Sequence, residues 1–155
     1  MDISEILEPG RVLGNVDARS KKRALEILSE LLGHAGEECV ASTIFENLVQ
    51  REKLGCTALG RGVALPHGRS PGLAGPAAAF VKLHEPVDFD SPDGEPVDLI
   101  FGLLLPEEAT ESQTEALSDV TRLMADATLR GELRGATSSN TLYKLIADAA
   151  SRLTT

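Results

Sequence analysis

Apolar residues recur at helical spacing toward both ends of the chain, whereas the middle of the chain is patterned differently. Near the N-terminus an apolar series begins after Ser20 and stops at Gly33 and Gly36, which predicts a helix. The apolar positions of that helix are Ala24, Leu25, Leu28, Leu31 and Leu32. Thr43 and Glu46 form a capping-box pattern, so a second helix is predicted to begin at Thr43. We therefore expect the N-terminal third to be helical.

The central segment is interrupted by glycine and proline before it becomes strand-like. Residues 55–75 hold six glycines and two prolines, which excludes a continuous helix, and only the apolar run 63–65 predicts a strand there. Residues 77–83 form another short apolar run, and residues 97–105 are the most hydrophobic segment. The flanking prolines of that segment suit a central strand covered on both faces. Residues 88–95 predict an acidic loop or a short edge strand.

Helical spacing returns after Pro106. One apolar face spans residues 116–127, a short helix is predicted around 129–133, and a final helix carries apolar positions within 142–149. Helices at both ends around a central block of strands predict an α/β fold in which helices cover both faces of a sheet. No internal repeat or low-complexity linker divides the sequence, so we expect a single domain over residues 1–155.

Composition narrows the class of protein further. The 155 residues carry a formal net charge of −9, which disfavours nucleic acid and anionic membranes because binding to either depends on basic surface. No apolar run approaches the roughly 20 residues of a membrane-spanning helix, and the first residues lack the pattern of a signal peptide. Cys39 and Cys56 are too few for a disulfide framework. We expect a cytoplasmic protein that binds neither nucleic acid nor membrane.

Two glycine-rich segments match known motifs by letter but lack the chemistry of those motifs. Residues 55–60 have the glycine spacing of a phosphate-binding loop, yet Arg61 and Gly62 stand where lysine and a hydroxyl residue are needed. Residues 68–72 spell the Gly-x-Ser-x-Gly hydrolase motif, but Pro71 has no N–H to contribute to an oxyanion hole. We therefore expect neither a nucleotide site nor a serine hydrolase.

Three histidines are the remaining candidates for chemistry. His34 ends a helix among glycines and His84 follows a strand, so we expect a surface residue and an exposed turn, respectively. His67 follows the rigid Pro66 at the end of an apolar run, and a glycine and an arginine come next. The residues alone leave two interpretations of His67 open, a structural turn and a functional site. No second metal-ligating residue lies at metal-ligand spacing from these histidines, so a metal site is not expected.

The segment around His67 resembles a known active site. Residues 62–69, Gly-Val-Ala-Leu-Pro-His-Gly-Arg, are similar to the active-site segment of type-2 (mannitol, fructose and nitrogen-regulatory) enzyme IIA domains of the bacterial phosphoenolpyruvate phosphotransferase system. Four further segments resemble the nitrogen-regulatory branch in register, namely residues 20–26, 51–55, 96–101 and 142–146. The resemblance implies a three-layer α/β/α fold with a mixed, mostly parallel sheet, and it implies a phosphohistidine carrier.

The same resemblance implies roles for residues by position. His67 is implied as the phosphoryl acceptor, and a neutral imidazole suits that role because its ordinary pKa is about 6.5. The implied phosphoryl-binding residues are Arg51, Thr57, Gly68, Arg69 and Gln113. Gln113 stands where the family commonly has a second histidine, and its amide can donate a hydrogen bond but cannot become cationic. No metal ion or other cofactor is implied, because donor and acceptor are both protein histidines.

Two further features each leave two interpretations open. Cys56, next to Thr57, is either a reactive thiol near the site or a small buried residue. A basic cluster at the start of a predicted helix is either a solvated helix end or a docking patch for an acidic partner. The cluster comprises Arg19, Lys21, Lys22 and Arg23.

The function implied by the resemblance is that of a phosphorylatable regulator. The protein would accept phosphate on His67 from a histidine phosphocarrier (HPr-like) protein and regulate target proteins, among them sensor kinases or potassium-transport proteins, by its phosphorylation state. One alternative is a sugar-specific, fructose- or mannitol-type IIA subunit that passes phosphate to a IIB subunit. A second alternative is a binding module that is not phosphorylated.

Overall fold

The computed structural model describes residues 2–153, which form one sheet with helices on both faces. The helices are α1 (Ile3–Ile6), α2 (Lys21–Leu32), α3 (Ala41–Leu54), α4 (Glu111–Met124), α5 (Ala127–Gly135) and α6 (Ser139–Leu153), and a 3₁₀ turn spans Gly33–Ala35. The strands are β1 (Leu7–Val16), β2 (Ala58–Gly60), β3 (Val63–Ala64), β4 (His67–Ser70), β5 (Ala77–Val87) and β6 (Val97–Pro106). No helix within this part of the chain is long and apolar enough to cross a bilayer.

The six strands lie in the order β1-β5-β6-β3-β2, and β4 also pairs with β6. Strand β6 is central: β5 runs antiparallel along one edge, while β3 and β4 run parallel along the other. Strand β1 is parallel to β5, and β2 is antiparallel to β3. The mixed, mostly parallel sheet that the sequence led us to expect is therefore confirmed.

Two residues, Leu65 and Pro66, connect β3 to β4 along the same edge of β6. Pro66 has no N–H to give to the sheet, but its carbonyl accepts the Leu103 N–H at 3.0 Å, so the edge stays paired across the proline. His67 follows as the first residue of β4 and pairs in register with Leu103. The backbone that carries His67 is thus anchored on the central strand.

Alternate residues of β6 pack into two hydrophobic cores, one on each face of the sheet. Phe101 joins the core beneath α1, α4, α5 and α6, whereas Ile100 joins the core beneath α2 and α3. Gly102 lies under α2, where an added Cβ would stand 2.7 Å from both terminal methyl carbons of Leu28. A glycine at this position lets α2 pack closely on the sheet and completes the three layers.

The N-terminal third differs from the all-helical expectation. Strand β1 pairs with β5 at the edge of the sheet, and its sequence, which contains Pro9, Gly10 and Gly14, hides the alternation typical of a strand. The predicted helix start at Thr43 is wrong, because α3 begins at Ala41 with no side-chain cap bond at its N-cap. The local capping pattern therefore does not set this boundary.

The middle segment contains more strands than the sequence predicted. Strand β5 continues to Val87, so His84 lies in a strand rather than a turn, and its Nδ1 is 2.8 Å from Oδ1 of Asn15 on β1. Residues 88–95 form a loop, one of the two alternatives. The short strands β2 and β4 were not predicted, because each is held by pairing rather than by local propensity. Strand β2 forms a hairpin with the neighbouring β3, and β4 pairs with the distant β6.

Candidate functional site

A cleft of about 500 Å³ opens between α3, β4, the end of β6 and α4. Arg51 enters it from α3, and His67, Gly68 and Arg69 enter it from β4. Leu117 of α4 contributes part of its apolar wall. Four of the six residues that the sequence proposed for the site therefore line one cleft, although they are up to 18 positions apart in the chain.

Two hydrogen bonds define the tautomer of His67. Its Nδ1 lies 2.9 Å from the Leu65 carbonyl oxygen, which can only accept, so Nδ1 carries the proton. Its Nε2 lies 3.3 Å from Nε of Arg51, whose N–H donates to it. A nitrogen that accepts a hydrogen bond is unprotonated, and the lone pair of Nε2 here accepts the Arg51 N–H. The nucleophilic atom of the side chain is therefore Nε2, on the side of Arg51.

The surroundings of His67 favour its neutral form. Burial is the main cause that lowers its pKa below the ordinary 6.5, and the nearby charges of Arg51 and Arg69 lower it further. The hydrogen bond to the Leu65 carbonyl and the charge of Glu52 oppose this shift. A neutral imidazole retains the lone pair that a nucleophile needs, so the side chain is ready to react at neutral pH.

Arg51 is held in place by the end of the helix that carries it. Its Nη1 donates to the carbonyl of Gly55 at 2.8 Å, which satisfies a carbonyl just beyond the last turn of α3. Gly55 has a φ of 153°, a backbone conformation that favours glycine. With one nitrogen fixed on the backbone, the remaining Nε–H is directed to His67. The arginine thus stands beside the atom that would carry an anion.

Arg69 also lines the cleft and is exposed. Its Nη1 donates to the Glu107 carbonyl at 3.3 Å, and the Asn47 side chain donates to the Arg69 carbonyl at 2.9 Å. These bonds tie β4 both to the loop after β6 and to α3. Asn47 was not predicted from the sequence, since a lone asparagine within a helical pattern gives no signal for a site.

Thr57 is buried, and its side chain contacts Glu52 rather than the phosphoryl site that the resemblance implied. Its hydroxyl and its backbone N–H both donate to the carboxylate of Glu52, the latter at 3.2 Å. Within residues 2–153 it makes no hydrogen bond to His67. Glu52, which the sequence analysis missed, directly follows Arg51. A negatively charged side chain is not expected beside a site for an anion, so its residue type did not point to the site.

Gln113 is the second predicted residue that the structure does not bring to His67. It occupies the N3 position of α4 in a capping box, where its Oε1 accepts the Thr110 N–H at 2.9 Å. Its Nε2 donates to the Ala74 carbonyl at 3.4 Å. Leu117, one turn further along α4, does line the cleft, so Gln113 lies on the same face of this helix.

Neither Cys56 nor the basic cluster at the start of α2 lines the cleft. Cys56 is half-buried, and its sulfur accepts the Ala58 N–H at 3.3 Å. In the basic cluster, Lys21 forms an ion pair with Glu52 at 3.0 Å and Arg23 approaches Glu26 at 3.8 Å. The start of α2 is therefore partly neutralised by this chain's own carboxylates.

The chain matches the family described as phosphoenolpyruvate-dependent sugar phosphotransferase system, EIIA 2, over residues 5–149. It belongs to this family. The EIIA 2 domain described here is 47% identical over 146 residues to a nitrogen regulatory protein of Pseudomonas aeruginosa, which covers 94% of this chain and 95% of that protein. The crystal structure of nitrogen regulatory protein IIA-Ntr from Neisseria meningitidis is also similar. Its TM-score is 0.85 at 40% identity, over 93% of this chain and 98% of that one.

A sugar-specific relative is more distant. The fructose-specific EIIABC component of Bacillus subtilis is 29% identical over 94% of this chain, which corresponds to 23% of that protein. Membership of the EIIA 2 family makes this chain a component of a phosphotransferase system. It also agrees with the sheet and the helices described above.

Proposed function

We propose that this EIIA 2 domain is a phosphoryl carrier and regulator of a nitrogen-related phosphotransferase system. It accepts a phosphoryl group on Nε2 of His67 from the phosphohistidine of an HPr-like carrier, and its phosphorylation state determines how it binds target proteins. The observation that carries this proposal is the lone pair of Nε2, which lies in a cleft beside the guanidinium group of Arg51 while Nδ1–H is held by a carbonyl.

The transfer requires only the two histidines and the groups around them. The Nε2 lone pair of His67 forms a bond to phosphorus while the bond from phosphorus to the carrier's histidine breaks, and that histidine leaves with the electron pair. The attacking imidazole gains positive charge, which the Leu65 carbonyl stabilises through Nδ1–H. Positioning and electrostatic stabilisation supply most of the catalysis in such a transfer.

The phosphoryl oxygens carry negative charge that must be matched by donors. Arg51 and Arg69 both line the cleft, and a guanidinium group can hold two oxygens at once. The backbone of Gly68 lines the same cleft and is a further donor in this proposal. Gln113 contributes only when its amide leaves the capping box. Thr57 donates to Glu52 and does not bind the phosphoryl group in this proposal.

The nitrogen-regulatory assignment rests on the degree of sequence identity. Identity to the nitrogen regulatory protein of Pseudomonas aeruginosa is 47%, against 29% for the fructose-specific relative, over equal shares of this chain. The target proteins belong to the same proposal: by family resemblance they are sensor kinases or potassium-transport proteins. The place of action is the cytoplasm, where the phosphocarrier proteins act.

Reconstitution tests the proposal directly. The domain is incubated with phosphoenolpyruvate, enzyme I and an HPr-like carrier, and its intact mass is measured under conditions that preserve phosphohistidine. We expect one phosphoryl group on the wild type and on His34→Ala and His84→Ala, and none on His67→Asn. Full phosphorylation of His67→Asn would show that another residue is the acceptor. No phosphorylation of the wild type, with a control acceptor fully phosphorylated, would leave a binding module as the function.

A further inference from the structure

Glu52 is a buried carboxylate in an unusual place. Its side chain is 5% exposed and lies in the last turn of α3, where the helix dipole disfavours negative charge. Burial adds a desolvation cost, so such a carboxylate persists only where other groups compensate for both effects. Lys21 of α2 supplies an ammonium group at 3.0 Å, and both the hydroxyl and the N–H of Thr57 donate to the carboxylate.

A continuous path of contacts connects Glu52 to the tautomer of His67. Thr57, held by Glu52, accepts the Leu65 N–H on its own carbonyl at 3.0 Å. The carbonyl of Leu65 in turn accepts Nδ1–H of His67 at 2.9 Å. The N–H and the carbonyl of Leu65 belong to successive peptide groups, so Thr57 holds the backbone of Leu65 on its N-terminal side and the imidazole uses the carbonyl on its C-terminal side. This path keeps the proton on Nδ1 and leaves Nε2 as the unprotonated nitrogen.

Glu52 also affects the charge of His67. The groups that act on the imidazole come from two elements packed against it: Arg51 and Glu52 from α3, and Arg69 from β4 itself. Both arginines lower the pKa of His67, and Glu52 raises it. Lys21 forms an ion pair with Glu52 and does not line the cleft.

We propose that Glu52 is a positioning residue for phosphorylation of His67, acting through Thr57 and the Leu65 carbonyl, with Lys21 as its counter-ion. The expected effect on phosphoryl transfer rests on the function proposed above. The expected effect on the tautomer of His67 does not depend on that function. Glu52 does not touch the phosphoryl group in this scheme.

The test compares Glu52→Gln with Glu46→Gln, an exposed carboxamide substitution on the same helix. A glutamine offers one acceptor oxygen where two donors of Thr57 now bind, so one donor loses its partner. In ¹⁵N-detected NMR we expect Glu52→Gln to show an increased population of the Nε2–H tautomer of His67 and a lower pKa. Phosphorylation should slow about tenfold, as expected for a misplaced nucleophile. Glu46→Gln should match the wild type in all three measurements.

Thr57 provides a second pair of variants in case Glu52→Gln does not fold. Thr57→Ser keeps the hydroxyl and should retain the wild-type tautomer and rate. Thr57→Val removes the hydroxyl and should reproduce the effects of Glu52→Gln on tautomer and rate, but not the part of the pKa decrease that comes from the charge of Glu52. An unchanged tautomer and pKa in Glu52→Gln, or equal behaviour of the serine and valine variants, would overturn the proposal. Because the NMR measurements use unphosphorylated protein, they test it even where the reconstitution of the wild type fails.

Discussion

The Nε–H of Arg51 donates to Nε2 of His67 over 3.3 Å, while Nη1 of the same guanidinium donates to the Gly55 carbonyl. One arginine therefore joins the end of a helix to the reactive nitrogen of a neighbouring strand. In the free protein this contact occupies the lone pair of Nε2. Once phosphorus takes that position, the same N–H can donate to a phosphoryl oxygen instead, at a distance that requires little movement of either residue.

Replacing Arg51 by lysine should slow phosphorylation about tenfold, because an ammonium group keeps the charge but not the planar fork that binds both Gly55 and His67. Arg51→Ala should slow it more and also raise the pKa of His67, since a positive charge that lowers this pKa is removed. Single-turnover transfer and NMR titration measure the two effects. Lys53→Ala, an exposed cation in the same helical turn, is the matched control and should change neither.

The lowered pKa of His67 makes stability depend on pH in a defined direction. The folded protein binds this proton less readily than the unfolded chain, whose histidine has its ordinary pKa of 6.5. The unfolded state is therefore favoured progressively as the pH falls through 6.5 toward the pKa of the folded state. In urea denaturation from about pH 5 to about pH 8, the wild type should lose more stability at the acidic end than His67→Asn. Parallel curves for the two proteins would contradict the shift.

Gly102→Ala should destabilise the fold without altering the cleft. The added Cβ would stand 2.7 Å from both terminal methyl carbons of Leu28, which is fully buried and cannot swing into solvent. Overpacking of this kind costs about 1–3 kcal/mol of unfolding free energy. Gly131→Ala is the control, because nothing lies within 4 Å of its added Cβ. Since Gly131 is in α5, that change should stabilise the protein by up to about 1 kcal/mol.

The spacing of apolar residues predicted the elements that are amphipathic or apolar in their own sequence, such as α2, α4 and the central strand β6. It failed where structure depends on a distant partner. His67 begins a strand only because β6 offers it an edge. In the site, the resemblance found four of the residues that line the cleft, namely Arg51, His67, Gly68 and Arg69. It missed Glu52, whose role depends on Thr57 and Lys21 rather than on any motif.

Gln113→His should increase the rate of phosphoryl transfer, because this position lies beside the cleft on the face of α4 that carries Leu117. A protonated imidazole there can donate a charge-assisted hydrogen bond to a phosphoryl oxygen, worth about 1.5–3 kcal/mol against roughly 1 kcal/mol for a neutral donor. The difference corresponds to about tenfold in rate for each 1.4 kcal/mol. The substitution also removes the side-chain half of the capping box, so the unfolding free energy should fall slightly.

The pH dependence of that gain separates a direct contact from an indirect one. Only the cation supplies the extra stabilisation, so the ratio of variant to wild-type rates should grow as the pH falls toward about 6.5. His67 titrates in both proteins, and the ratio cancels its contribution when both are measured across the same range. Gln113→Ala controls for the lost cap, because it weakens the helix start without adding a donor. Equal rates and equal pH profiles for the histidine variant and the wild type would show that residue 113 does not contact the phosphoryl group.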